Sequence, residues 1–214
     1  MKKWSKELNM QLKLICFVIV LSQLLLFCSE SHAEIKSVNV KIDTNIYGHY
    51  YEPKYNVGTL KWKQRHNVGI EIIFKQFDKF PQKPEFGVGI KYESPYKFLG
   101  GDTFSFVPVY GLMSFKIHSF KDIIDSKLII NLGYNWFKGL DCSDRYNTYN
   151  YNGGPYYGIG IDHIIRNKIL FGIHFSESIG YNEHISLNNH HGYGKYTYYT
   201  RYKRITFVIG YMFM

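Results

Sequence analysis

His174 and Ser176 are the pair best placed to do chemistry in this chain, within Ile173-His174-Phe175-Ser176-Glu177. Residues two apart on an extended strand share a face, so an imidazole acting there as a base could activate the hydroxyl as a nucleophile. Glu177 or Glu183 would have to orient the ring, yet Glu177 alternates onto the face opposite Ser176. A second group, His184, His190 and His191, with His163 elsewhere, offers zinc or copper ligands. Its spacing matches no ligand motif and adjacent histidines hold one ion poorly, so a solvated loop is the favoured reading and no metal site is assigned. Gly100-Gly101-Asp102 is a turn rather than a phosphate cradle, because no helix follows it. With no P-loop or dinucleotide fingerprint, no cofactor is expected.

The compartment limits this chemistry further. Lys2, Lys3, Lys6 and Lys13 precede an apolar run from Leu14 to Phe27, and Ser31-His32-Ala33 ends it with small residues at the cleavage positions. This is the order of a signal peptide over residues 1–33, and the run is too short for a spanning helix. Phe27 before Cys28 argues against a lipoprotein site. Cys142 is then the single mature cysteine, which excludes an internal disulfide and a cysteine-based zinc site. The net charge of +9 is spread along the chain, and export argues against nucleic acid. Anionic headgroups and lipopolysaccharide phosphates are the better electrostatic partners.

The elements that must position these residues alternate with period two. Eight segments can be marked: Lys36–Tyr47, Arg65–Lys75, Glu85–Glu93, Thr103–Ile117, Lys127–Phe137, Tyr156–Ile165, Ile169–Ile179 and a terminal strand from near Tyr199. Apolar sets such as Val38, Val40, Ile42 and Ile46, or Ile169, Phe171, Ile173 and Phe175, occupy one face. In seven of the eight that face carries no charge, and the charges are expected on the other. Such lengths suit tilted strands crossing a bilayer, where a lipid-facing Lys or Arg at midplane would cost roughly 2–4 kcal/mol. Lys41, Asp43, Glu71, Lys91, Glu93 and Asp162 share the inner face with glycines 87, 89, 133, 158, 160 and 172. Buried charges must pair, so a filled, ion-paired lumen is expected rather than an open pore. Long connections (Gly48–Gln64, Ser94–Asp102, Lys138–Pro155, Gly180–Tyr198) alternate with short ones such as Arg166-Asn167-Lys168, which puts the long loops outside and both termini in the periplasm. Tyr47, Tyr50, Tyr51, Tyr92, Tyr96, Trp136, Phe137, Tyr156, Tyr157, Tyr198 and Tyr199 cluster at the outer strand ends as a girdle. Pro108, which has no N–H to donate, predicts a bulge.

Four stretches carry a family resemblance: Phe106-Val107-Pro108-Val109-Tyr110-Gly111, Asn131-Leu132-Gly133-Tyr134, Gly153-Gly154-Pro155-Tyr156-Tyr157-Gly158-Ile159-Gly160-Ile161, and Arg204-Ile205-Thr206-Phe207-Val208-Ile209-Gly210-Tyr211-Met212-Phe213. In order and spacing the chain resembles the small outer-membrane β-barrel domain family, the OmpA/OmpX-like group, over essentially Ile35–Phe213. The resemblance implies an eight-stranded barrel inserted by the outer-membrane assembly machinery. Members end on the aromatic itself, whereas Met214 follows Phe213 here; Phe213 is expected to face lipid, with Met214 as an overhang. The His174-Phe175-Ser176 spacing also resembles the His-x-Ser pair of outer-membrane lipid A deacylases. There the residue after the serine is Asn, and here it is Glu177; the parity also turns His174 and Ser176 inward, away from lipid.

The reading is an all-β, eight-stranded antiparallel up-and-down transmembrane β-barrel (residues 34–214) with a filled polar interior, in the bacterial outer membrane. Its expected role is non-enzymatic, structural or adhesin-like, with outer-membrane lipids and lipopolysaccharide around it and an extracellular ligand at the loops. The alternative is a lipid A deacylase-type hydrolase using His174 and Ser176. A soluble lipocalin-like barrel ranks last, since Lys91, Glu93 and Asp162 would line its interior.

Overall fold

The computed structural model describes residues 34–51, 66–74, 84–93, 96–97, 103–121, 123–139, 147–188 and 192–214. The expected signal peptide (residues 1–33), Gly100-Gly101-Asp102, Cys142, His190 and His191 lie outside these residues. Ten strands follow one another: β1 (Ile35–Tyr51), β2 (His66–Phe74), β3 (Glu85–Glu93), β4 (Tyr96–Lys97), β5 (Thr103–Phe120), β6 (Ile124–Gly139), β7 (Asn147–Asn152), β8 (Gly154–Ile165), β9 (Ile169–Asn188) and β10 (Gly192–Phe213). Eight of them are staves. Hydrogen bonding runs β1-β2-β3-β5-β6-β8-β9-β10, and β10 pairs antiparallel with β1 as well as with β9, so the sheet closes on itself. Closure removes the free edges that would otherwise seek partners.

Alternation decides what each stave shows. Along β8 the residues switch between buried and exposed through nearly the whole strand, and β2 and β3 do the same. Ile42, Ile70, Ile90, Leu132, Ile159, Ile173 and Ile209 stand outward, with Leu132 65% and Ile173 57% exposed. Large aliphatics left this open to water would be untenable in bulk, and as a continuous band they are the lipid-facing surface of a transmembrane barrel. Among the described residues no helix is long and apolar enough to cross a membrane; the strands do the crossing.

Among the described residues, register shifts within β1 and within β5 interrupt the parity. In β1 the register shifts between Asn45 and Tyr47, so Tyr47 faces outward and Ile46 loses the lipid-facing place that the alternation predicts for it. In β5 the shift lies between Lys116 and His118, not at Pro108. Pro108 is buried and stays in register with Asn135 on β6. On the other side the ladder to β3 ends at Val109, one residue short of the proline. The missing donor ends a ladder there; pairing with that edge resumes at Tyr96 and Phe104, with six residues from Ile90 set against five from Val109, so the extra residue enters the facing edge and not β5 itself.

At the termini end of the barrel, the connection between β8 and β9 is a tight turn. Arg166 and Asn167 carry φ of 48° and 56°, and the Lys168 N–H donates to the Ile165 carbonyl at 3.0 Å. Two successive left-handed residues make the primed turn whose twist suits a two-stranded hairpin. At the other end the sheet outgrows the barrel. The segment Gly180–Tyr198, expected as a loop, continues the β9–β10 ladder up to Asn188 and Gly192, and β7, inside the expected loop Lys138–Pro155, adds to β9 from Asn147 to Asn152. The Thr- and Tyr-rich composition of these stretches supports strands once a paired edge lies beneath them. Phe213 pairs with Val38 and is 54% exposed, while Met214 overhangs at 75%.

Candidate functional site

The inward residues of the staves meet across the lumen as a chain of paired charges. Lys41 Nζ lies 2.8 Å from Glu71 Oε2 and 3.0 Å from Asp162 Oδ2. Tyr110 donates its hydroxyl to Glu71 at 3.0 Å, and Asp162 accepts the His174 Nε2–H at 2.7 Å. Five side chains from β1, β2, β5, β8 and β9 thus form one path, Tyr110–Glu71–Lys41–Asp162–His174. Asp43 pairs with Lys91, and Glu93 with Arg204. Glu85 gathers Lys36, Lys127 and the Ser114 hydroxyl toward the termini end. Ions this deep are tolerated only when paired and hydrogen-bonded. Each of the six inner charges expected from the alternation has an opposite charge within reach.

Apolar groups fill what the ions leave. Ile73, Tyr110, Leu112 and Tyr156 form one cluster, and Ile164, Leu170, Val208 and Met212 another. Tyr156 therefore belongs to the lumen, packed against Tyr110 with ring centroids 5.3 Å apart, and not to the outer girdle. Tyr47, Tyr92, Trp136, Tyr157 and Tyr199 do face outward. Glycine makes room for two of the inner rings. A methyl at Gly89 would fall 2.6 Å from the Tyr110 ring, and one at Gly160 would overlap the imidazole of His174.

His174 and Ser176 share the inner face, as their spacing requires, and both are buried. They are engaged separately. The imidazole is bound to Asp162, while the Ser176 oxygen accepts a 2.7 Å hydrogen bond from Arg204 Nε. An Oγ facing a guanidinium has no base to take its proton in this arrangement. Glu177 alternates to the outer face, where the Tyr157 hydroxyl donates to it and Lys203 Nζ lies 3.8 Å away. Glu183 lies farther along β9, opposite Thr197 and Asn150. His163 shares a 2.8 Å hydrogen bond with Ser126 and packs on Phe171. His184 is a β9 residue in register with Tyr196. Among the described residues no group of three His, Cys, Asp or Glu is arranged to hold a metal.

Sequence reasoning missed two participants in the lumen, Arg204 and Tyr110. Arg204 is fully buried, although its place on the inner parity of the last strand with Thr206 and Val208 was a usable signal. Tyr110 reads as an aromatic core residue until Glu71 is found beside it. Glu177 faces outward, as its parity opposite Ser176 requires, and the outward Arg201 and Lys203 depart from the expectation that the charges turn inward. They lie toward the outer end, where headgroups replace hydrocarbon and a charge is affordable.

Closed antiparallel barrels with a lipid-facing band and short turns at the termini end are outer-membrane structures, and this architecture places the chain in the bacterial outer membrane. No family model matches the chain, and no curated protein sequence does. Among solved structures it is similar to the outer-membrane protein AlkL in lipid bilayers (11% identity, 84% of this chain and 91% of that one, TM-score 0.47). It is also similar to OprG from Pseudomonas aeruginosa (11% identity, 85% and 98%, TM-score 0.49). A third is Ail of Yersinia pestis, solved with the heparin analogue sucrose octasulfate (12% identity, 83% and 97%, TM-score 0.42). The closure of the barrel rests on its strand pairing and not on these likenesses.

Proposed function

We propose that this chain is a non-enzymatic outer-membrane barrel whose work is structural and surface-interactive, carried by the sheet that rises above the membrane. One observation supports this most: the lumen is occupied by ion pairs and rings, with Arg204 and Glu93 fully buried at its core. A barrel filled in this way offers no aqueous path for solute, and it sequesters His174 and Ser176 from any lipid substrate. What is left to meet a partner is the outer extension of β7, β9 and β10, together with the lipid-facing wall. Insertion by the barrel assembly machinery and a surrounding of outer-membrane lipid and lipopolysaccharide belong to the same proposal.

The test uses cells displaying the whole barrel and cells in which Gly180–Tyr198 is replaced by a tight turn. Binding to host cells and matrix is expected to fall with the trimmed hairpin while the unboiled protein still migrates as a folded barrel. Equal binding by both would refute the surface role. In planar bilayers the purified barrel is expected to give no stepwise conductance, and regular open-channel steps would refute the sealed lumen. For the hydrolase reading, the lipid A acyl pattern is expected to be the same with and without the protein.

A further inference from the structure

A polar row crosses the outside of the barrel near its outer rim. The register aligns Tyr157 on β8, Glu177 on β9, Lys203 on β10 and His49 on β1, with Arg201 one outward-facing position higher. Glu177 is unusual within it. It sits on the lipid-facing parity yet is only 3% exposed. Its Oε2 receives the Tyr157 hydroxyl, while its Oε1 is buried and has no hydrogen-bond partner among the described residues. A buried carboxylate oxygen without a donor is costly, and native structures seldom leave one so. Lys203 and Arg201 beside it are exposed.

Directly below this row the wall is grooved. A furrow of about 690 Å³ runs between Ile159, Ile161, Ile173, Phe175, Ile205 and Phe207, where Gly160 and Gly172 also line it. Phe175, Ile205 and Ile159 are each two residues from Glu177, Lys203 and Tyr157, so furrow and polar row are separated by roughly 7 Å of strand. The charge pattern, the orphan acceptor and the furrow describe one amphiphile: an anionic head on the two cations, a hydroxyl or amide N–H directed at Glu177, and an acyl chain along the furrow.

We propose that this face binds an outer-leaflet acylated sugar phosphate of the lipid A class, with its phosphate on Arg201 and Lys203, a sugar hydroxyl or amide donating to Glu177 Oε1, and one acyl chain in the furrow. This rests on the outer-membrane reading above. The full mature chain is folded into phosphatidylcholine nanodiscs, and retained lipid is counted by native mass spectrometry. The probes are bisphosphorylated lipid A, its dephosphorylated form, phosphatidylglycerol and inorganic phosphate. Lipid A is expected to be retained in preference to the other three. Each cation removed, in Lys203→Ala and Arg201→Ala, is expected to weaken retention about five-fold. Lys168→Ala, at the opposite rim, is expected to leave it unchanged. Equal retention of phosphatidylglycerol or of dephosphorylated lipid A, or full displacement by inorganic phosphate, would overturn the proposal without any variant having to fold. A barrel that folds in nanodiscs but ignores lipid A sinks this inference alone. Recovery of the protein in the soluble periplasm would sink the outer-membrane reading itself.

Discussion

Arg204→Met tests whether the lumen is held together by charge pairing or merely filled. Arg204 and Glu93 are both 0% exposed. Removing the guanidinium strands the Glu93 carboxylate, whose Oε2 already has no hydrogen-bond partner among the described residues. Breaking one side of a buried pair costs about 3–5 kcal/mol, and Ser176 loses the donor to its Oγ as well, a further loss of about 1 kcal/mol. Because 1.4 kcal/mol is a factor of ten, the folding equilibrium should weaken by at least about a hundred-fold. Replacing both partners, in Arg204→Met with Glu93→Gln, removes the stranded charge and should recover most of that loss, since neutral replacements of buried pairs are often tolerated. The assay is urea titration of the barrel refolded in phosphatidylcholine vesicles, with the folded fraction read from the migration of unboiled samples. If Arg204→Met costs less than about 1 kcal/mol, or if adding Glu93→Gln deepens the loss, the pairing argument is wrong. The lumen would then be stable through packing alone.

Three further outcomes follow from particular contacts, each read by the same titration. Gly160→Ala should cost about 1–3 kcal/mol because its methyl meets the His174 ring; Gly111→Ala, whose methyl meets nothing closer than a carbonyl at 3.9 Å, should stay within about 0.5 kcal/mol, and equal costs would refute the close-approach account. Ile173→Lys, in the middle of the exposed band, should cost about 2–4 kcal/mol in lipid, and a neutral result would mean that this face does not meet hydrocarbon. At the turn-side end, burial pushes the Asp125 carboxyl up, but the bonds from Lys116 at 2.9 Å and Ser119 at 2.7 Å outweigh it and hold the group below its usual range. Its stabilisation is therefore present above the ordinary carboxylate pKa and lost as pH falls through the depressed one. Asp125→Asn should cost less than about 1 kcal/mol at neutral pH and nothing in strong acid; a difference that persists in acid would contradict the linkage.

Period-two alternation made the staves legible because a strand has only two faces, and one face here must satisfy hydrocarbon while the other must not. Lys41, Asp43, Glu71, Lys91, Glu93 and Asp162 were placed inward by that rule, and all of them are there. The rule reached its limit where an extra residue enters the ladder. Ile46 and Ile117 are ordinary strand formers, and nothing in their chemistry marks a bulge, whereas Pro108, the residue that seemed to demand one in its own strand, ends a ladder and leaves the extra residue on the edge facing it. Local rules also missed the outer extension of β9 and β10. Polar, Tyr-rich segments read as loops until a neighbouring edge is available to pair with them.

Cross-lumen partnership is a different kind of information, and the alternation does not contain it. Whether His174 meets Ser176 or Asp162 depends on how far each stave slides past its neighbour as the sheet closes. His174 stands opposite Gly160 on β8, which lets its ring lie across the glycine and reach Asp162, two residues along the same stave. The same stagger brings Arg204, directly opposite Ser176, within reach of Glu93 from a strand elsewhere in the wall. The small residue opposite the ring was therefore the hint that mattered. Gly160 and Gly172 flank Asp162 in the sheet, and a stave with glycines around a single acid leaves space that a long or flat partner from the next strand must occupy. A catalytic reading of His174 and Ser176 considered one strand. The glycines across from it had already assigned the imidazole to the carboxylate.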